Sequence, residues 1–224
     1  MKPHLTDWFK IINSNRLIGL FELIFIIFAV VNIKHDKEKV VQIGLNLFCS
    51  KGYTNVGLEE ICHATGMTKG AFYNAFESKE NFLIETISSF NKSNTERIDT
   101  VLAPDKTLKA IEQLKQFYNV MLQFQPKVNY MGCMVNNMMS ELGAINGRVG
   151  DATTKGFEEI ISAVEPCVKR AQNEGDINTE FNAKEIAALL HTTFYGVLTR
   201  AKSLGSYKNG IKTMDILFTN LKQK

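Results

Sequence analysis

The sequence predicts an all-α protein, with an N-terminal three-helix unit built on a helix-turn-helix and a larger helical domain behind it. Three observations carry that prediction. From residue 36 onward, apolar residues recur at three- and four-residue steps, the period of helices packed on one side. The stretch from Gly57 to Lys79, GLEEICHATGMTKGAFYNAFESK, holds two short segments of helical spacing, Leu58–Ala64 and Thr68–Phe76, on either side of Gly66. That is the pattern of two helices joined by a tight turn. Finally, 45% of the 224 residues are hydrophobic and 22% are charged, a balance that supports a sizeable core and argues against disorder.

Before the helical pattern begins, Leu17–Val31 reads LIGLFELIFIIFAVV, broken only by Gly19 and Glu22. The run is shorter than the roughly 20 residues a membrane-spanning helix needs, and the NIKHDKEK that follows offers no small-residue cleavage site. Three readings stay open: a marginal membrane anchor, an apolar helix for a partner, or a start placed upstream of the true one. The clean onset of globular pattern near His35 favours the third. The expected division is 1–34 as an apolar extension, 35–82 as the helix-turn-helix unit and 83–224 as the second helical domain.

In the first helix of the unit, Val40, Ile43, Gly44, Leu47 and Phe48 form one apolar face, and Gly52 is its stop signal. The second helix turns Leu58, Ile61 and Cys62 inward and Glu59, Glu60 and His63 outward. Ala64 is small where a neighbouring helix must come close. Gly66 can take the positive φ that a sharp inter-helix turn wants, and Thr68 suits an N-cap. At about 100° per residue, Phe72 and Phe76 share the inner face of the third helix, with Ala75 beside them. Gly70, Ala71, Tyr73 and Asn74 then face outward.

That outward face is small at one end and hydrogen-bonding at the other. Gly70 admits a close backbone, Tyr73 can donate to a phosphate, and Asn74 can bond a base edge or a phosphate. Lys69 and Lys79 bracket the face with positive charge, and Ser78 caps the next helix, leaving first-turn N–H groups for a phosphate. Such a helix suits a DNA major groove. Bulk charge does not supply the affinity. The whole chain has a formal net charge of +3. Between His35 and Phe82 stand five Lys (37, 39, 51, 69, 79), no Arg and six acids (Asp36, Glu38, Glu59, Glu60, Glu77, Glu80). A single unit of this kind binds DNA weakly, so two copies are required.

The run GYTNVGLEEICHATGMTKGAFYNAFESKENFL resembles the DNA-binding domain of the TetR/AcrR family of bacterial regulators. The turn ATGMTKG, Tyr73, Phe76 and the Ser78-Lys79-Glu80 trio match its pattern in spacing. Asn74, Ala75 and Gly57 depart from it: the first two replace larger side chains, and the third removes a usual hydroxyl cap and phosphate ligand. The resemblance implies that Thr68, Lys69, Gly70, Tyr73, Asn74 and Lys79 contact double-stranded DNA. It further implies that the C-terminal domain binds a small-molecule effector and pairs two chains into a homodimer on a palindromic operator. Repression is the commoner role in the resembled family; a cytoplasmic location and no cofactor are expected as well. Membrane tethering through residues 17–31 is the alternative.

Past the reader, Phe82, Leu83, Ile87, Phe90, Ile98 and Val101 mark one long helix ending before Pro104. In the resembled family this helix links reader to sensor. Thr107–Phe124 is amphipathic and stopped by Pro126. The Met-rich run Tyr130–Leu142 reads either as sensor core or as an adaptable pocket lining. The candidate pocket residues are Phe117, Met121, Cys133, Met134, Asn137 and Met138. The Gly132-Cys133-x-x-x-Asn137 pattern resembles family members that sense electrophiles or organic ligands, so Cys133 is read either as a reactive thiol or as a buried one. Asp151–Glu174, interrupted by Pro166, and Ala183–Lys202 carry more apolar surface than one partner would bury; the resemblance makes this pair the dimer interface. Ile211–Leu221 closes the chain.

Cys49, Cys62, Cys133 and Cys167 are too widely spaced for a metal motif and read as buried free thiols. The four His residues are scattered, and neither a nucleophile–base constellation nor a phosphate loop occurs in the sequence. The pattern therefore gives no support to an enzyme.

Overall fold

A computed structural model describes residues 37–222, so the apolar run 17–31 lies outside the described residues. From Lys37 onward the chain packs as one unit. Helix α1 (Lys37–Lys51) buries Val40, Val41, Gly44, Phe48 and Cys49. A Cβ on Gly44 would lie 2.4 Å from the Phe82 ring, so glycine is what lets the following helices come this close. Gly52 ends α1 at φ +77°, its N–H donating to the Phe48 carbonyl at 2.9 Å.

Helix α2 (Leu58–Thr65) starts without a side-chain cap, because Gly57 has no hydroxyl, and stops at Gly66 in the left-handed region at φ +70°. Helix α3 (Lys69–Phe76) is capped by Thr68, whose hydroxyl accepts from the Ala71 N–H at 3.1 Å. Its stop is Glu77 at φ +63°, a conformation L residues seldom adopt. Helix α4 (Lys79–Val101) is capped by Ser78, which accepts from the Asn81 N–H at 3.0 Å. Phe48, Phe72, Phe76 and Phe82 meet between these four helices, with ring centroids 4.7–5.7 Å apart. Buried aromatic rings at these separations gain from edge-to-face contact as well as area.

Several sequence expectations need correction. Ala64 and Ala75 are exposed; Ala75 sits at the edge of the Phe72–Phe76 stripe, outside the packed face. Leu58 and Phe90 are half-buried rather than core. The Thr107 helix begins at Ala110, because Asp105 instead accepts from the Thr107 N–H and hydroxyl, both at 2.6 Å, in a local turn.

The C-terminal part comprises α5 (Ala110–Phe124), a 3-10 turn (Gln125–Val128), α6 (Met134–Leu142), α7 (Gly147–Asn173), α8 (Ala183–Leu204) and α9 (Lys208–Asn220). Helix α7 is central, packing on α4, α5, α6 and α8 through Ile160, Ile161, Val164, Cys167, Val168 and Ala171. It starts four residues earlier than its apolar pattern, because Asn146 caps it by accepting from the Val149 N–H at 3.1 Å. Helix α8 opens with a reciprocal capping box between Asn182 and Glu185. The four cysteines are free and buried. Among the described residues no helix is long and apolar enough to cross a membrane.

Candidate nucleic-acid interface

The eight residues of α3 divide cleanly by solvent. Phe72 and Phe76 are sealed in the aromatic core, while Lys69, Gly70, Ala71, Tyr73, Asn74 and Ala75 are exposed, as is Thr68 at the N-cap. Thr68 does its work through the cap described above. Gly70 is open: a Cβ there would meet nothing within 4 Å. Tyr73 is 50% exposed, yet its ring is held edge-on to Phe72 at 6.0 Å, so its hydroxyl projects from an anchored ring. The same openness surrounds Gly57.

The two bracketing lysines are held differently. Lys69 Nζ lies 2.8 Å from Glu59 Oε1 on α2. The hydrogen bond between them raises the lysine and lowers the carboxyl, with charge attraction adding to both. Lys79 is half-buried, its ammonium 4.0 Å above the Tyr53 ring, a cation–π seat. Burial lowers the Lys79 ammonium, and Glu141 opposes that.

Tyr53 and Glu141 are residues the sequence reading missed. Glu141 Oε2 accepts from the Tyr53 N–H at 3.0 Å; Oε1 accepts from the Thr54 N–H at 2.9 Å and the Thr54 hydroxyl at 2.8 Å. Burial raises the Glu141 carboxyl, but these bonds and nearby Lys79 outweigh it and hold the group below its usual range. The partners are 87 and 88 residues apart, so no local pattern announces them.

The candidate pocket residues do not all meet. A cavity of about 300 Å³ opens between the end of α1, α6 and α8, with Phe48, Met138 and Leu198 as apolar lining and Asn137, Thr199 and Lys202 among the polar ones. Asn137 and Met138 line it; Phe117, Met121, Cys133 and Met134 do not. Phe117 is buried edge-on to Tyr118, and Met121 is half-buried on α5. Met134 is buried with the Cys49 thiol 3.6 Å from its sulfur. The Cys133 thiol is buried at the N-terminus of α6, 3.5 Å from the Tyr195 hydroxyl. Burial raises it, outweighing the hydrogen bonds to Asn136 and Tyr195 that lower it. A thiol kept protonated in this way is a poor nucleophile.

The C-terminal interior also holds polar groups that the sequence reading did not place in the core. Asn91, Asn136 and His191 are buried there, Asn136 donating to the Tyr195 carbonyl and His191 packed against the rings of Tyr118 and Tyr195. Asn91 Oδ1, the Tyr118 hydroxyl and His191 Nδ1 have no hydrogen-bond partner among the described residues. Burial pushes the His191 imidazole down to about 3 and the Tyr118 hydroxyl well up. Among the described residues no three His, Cys, Asp or Glu side chains gather as metal ligands.

A capped, outward-facing second helix after a glycine turn, on a domain joined to a larger helical body, defines a helix-turn-helix DNA-binding regulator. Two family descriptions match the two parts: "Bacterial regulatory proteins, tetR family" over residues 42–86 and "Tetracyclin repressor-like, C-terminal domain" over residues 110–214. The chain belongs to the TetR family of transcriptional regulators. It is similar to the HTH-type transcriptional repressor DhaR of Mycobacterium sp. (strain GP1), 24% identical over 166 residues, covering 74% of this chain and 82% of that protein. It is also similar to the HTH-type transcriptional repressor NemR of Escherichia coli K12, 21% identical over 176 residues, covering 78% and 88%. Among solved structures, a regulatory protein TetR from Rhodobacter sphaeroides matches with a TM-score of 0.73 at 22% identity, covering 81% of this chain and 95% of that one. The reduced form of E. coli NemR matches at 0.70 and 18%, covering 83% and 94%. These structural likenesses show the fold. The family and the named relatives are regulators, not enzymes.

Proposed function

We propose that this protein is a homodimeric, effector-responsive transcriptional repressor that works in the cytoplasm on a palindromic operator. The observation that carries the DNA reading is the outer face of α3. Thr68, Lys69, Gly70, Tyr73 and Asn74 stand exposed on one short helix whose opposite face is locked by Phe72 and Phe76. With Lys79 they form the contact set, and each protomer offers its α3 to a major groove about one helical turn from the other. The division into a reader at 35–82 and a sensor and dimerisation domain at 83–224 belongs to this reading, with α4 running through the junction.

Pairing is supported by α8. Leu189 is 46% exposed, and Gly196, seven residues on and so on the same side, has open space around it. A leucine and an open glycine on one helix face let a second helix approach closely. Effector response is supported by the polar atoms left unpaired inside the C-terminal domain, which a small molecule with hydrogen-bonding groups would satisfy. Of the interior set Phe117, Met121, Cys133, Met134, Asn137 and Met138, Asn137 and Met138 line the cavity beside α6, and in this reading the other four belong to the effector-binding interior. The effector then acts by favouring a dimer geometry whose readers no longer match the operator.

The decisive experiment is binding of the purified full chain to the DNA upstream of its own gene. The parent is expected to bind a discrete site. Tyr73→Ala and Lys79→Ala are expected to weaken that binding by about tenfold each, the scale of one lost positioned contact. Unchanged affinity in both variants would show the contact set to be wrong.

A further inference from the structure

We propose that Glu141 is a positioning residue that couples the C-terminal domain to the DNA-contacting face, by clamping the loop that carries Tyr53 and thereby seating Lys79. This rests on the reading of Lys79 as a DNA contact. The clamp itself is on the page. One carboxylate at the end of α6 takes three hydrogen bonds, at 2.8–3.0 Å, from the residues that link α1 to α2. The fit is tight: a Cβ on Gly52 would come 2.9 Å from the Glu141 carboxylate, and Gly52 stands at φ +77°. Glycine at this position serves both the turn and the clamp.

The chain of contact continues to the DNA side. The Tyr53 ring, whose backbone N–H Glu141 holds, packs on Phe48 at 5.8 Å and carries the Lys79 ammonium at 4.0 Å. At its other end, α6 is fixed in the interior. Asn136 donates to the Tyr195 carbonyl at 3.4 Å and to the Thr199 hydroxyl at 3.0 Å, and Cys133 and Met134 are sealed. A nine-residue helix thus runs from the buried polar interior to the reader loop as a rigid rod. The cavity beside Glu141 gives the carboxylate room to leave. A second grip, from Asn146 and Arg148 on Glu80 and Asn81, ties the start of α7 to the start of α4. Its carboxylate partner Glu80 acts on Tyr53 only through charge, whereas Glu141 holds the Tyr53 backbone by a direct hydrogen bond.

The test uses the full chain, with Glu141→Ala, Glu141→Gln and Thr54→Val. Hydrogen exchange at the Tyr53 and Thr54 amides reads the clamp without DNA. Fluorescence anisotropy on a duplex that the parent enriches from a random pool reads its effect on binding. Glu141→Ala is expected to lose amide protection and to weaken binding about tenfold, as removal of a charge-assisted acceptor from two backbone donors implies. The isosteric Glu141→Gln keeps one acceptor oxygen and is expected to fall between parent and Ala, as is Thr54→Val, which loses only the hydroxyl donor. Unchanged or tighter binding by Glu141→Gln with amide protection lost would overturn the coupling. Unchanged protection in both Glu141 variants would overturn the clamp. A parent that enriches no duplex would instead sink the regulator reading, while the exchange measurement still judges the clamp.

Discussion

The reader and the sensor domain are both helical, but their interiors are built on different terms. Between residues 37 and 82 every buried side chain is apolar, and the centre is a knot of four phenylalanines. Between residues 83 and 222 the interior also takes in Thr86, Asn91, Asn94, Gln113, Gln125, Asn136, Thr153, Gln172 and His191. An interior of apolar rings has one good packing and resists deformation. A polar interior is rigid where its groups are satisfied and open to rearrangement where they are not, as at Asn91 Oδ1 and His191 Nδ1, which have no hydrogen-bond partner among the described residues. The contrast is what the proposed reading requires, a fixed DNA-reading surface joined to an effector-responsive body.

The sharpest way to break the comparison is to open the aromatic knot. Phe72 is fully buried and touches Tyr73, Phe76 and Phe82. Phe72→Ala is expected to cost about 3–5 kcal/mol in urea denaturation and to abolish DNA binding, since the face of α3 hangs on that ring. In the sensor, Tyr118→Phe removes a hydroxyl that has no partner among the described residues and keeps the ring. Its expected cost is near zero, or a small gain. Equal losses in the two variants would erase the distinction drawn here.

The next effect is a dependence of sensor stability on pH. His191 sits among the rings of Tyr118, Phe157, Phe194 and Tyr195, and burial pushes its pKa from 6.5 down to about 3. Tyr118 and Tyr195 are raised by burial and stay neutral throughout the acid range. Between pH 6.5 and about 3 the unfolded chain therefore binds a proton that the folded chain refuses. The stability His191 contributes is fully present above 6.5 and is lost as pH falls through this window, at up to about 1.4 kcal/mol per pH unit. His191→Phe is expected to flatten that portion of the curve. Denaturation midpoints from pH 7 to 5 for the two proteins provide the check, and parallel curves would refute it.

Legibility in the sequence followed the same divide. The limits of α2 and α3 were readable because Gly66 and Thr68 act on their own neighbours, through a positive φ and a local cap. The exposed set on α3 was readable because two phenylalanines four residues apart fix the inner face of a short helix. Ala75 was misread because a small apolar residue at the edge of a stripe looks the same on either side of it. In the sensor, Asn91 and Asn94 were passed over because polar residues in a helical pattern count as solvent-facing. Their burial depends on which helices arrive, and sequence spacing does not state that. Four of the six candidate pocket residues lie off the cavity for the same reason: Met and Cys mark an adaptable interior but not where its walls part. Glu141 was invisible because its partners sit across the fold.

A smaller effect tests whether the face of α3 is held from within its own helix. The Thr68 hydroxyl satisfies the Ala71 N–H, one of the orphan donors at the start of an eight-residue helix. Thr68→Ala is expected to cost about 1 kcal/mol and Thr68→Ser almost nothing. If the hydroxyl also touches DNA, Ala will lose more in affinity than its stability loss accounts for, while Ser retains both.

The smallest effect concerns a charge the reader holds in check. Lys69 is paired with Glu59 on a fully exposed surface, in a unit whose lysines are outnumbered by acids. To meet a phosphate, Lys69 must give up this partner, and Glu59 then stands near the DNA as an uncompensated negative charge. Glu59→Gln removes both obstacles without touching the core, so the denaturation midpoint should stay where it is. Affinity for the operator is expected to rise a few-fold at low salt, and the slope of log affinity against log salt to steepen by about one. That gain should be the same for matched and scrambled duplexes, because the new contact is to phosphate. A gain confined to the matched duplex would instead assign Lys69 to a base edge, turning the lysine from an anchor into a reader of sequence.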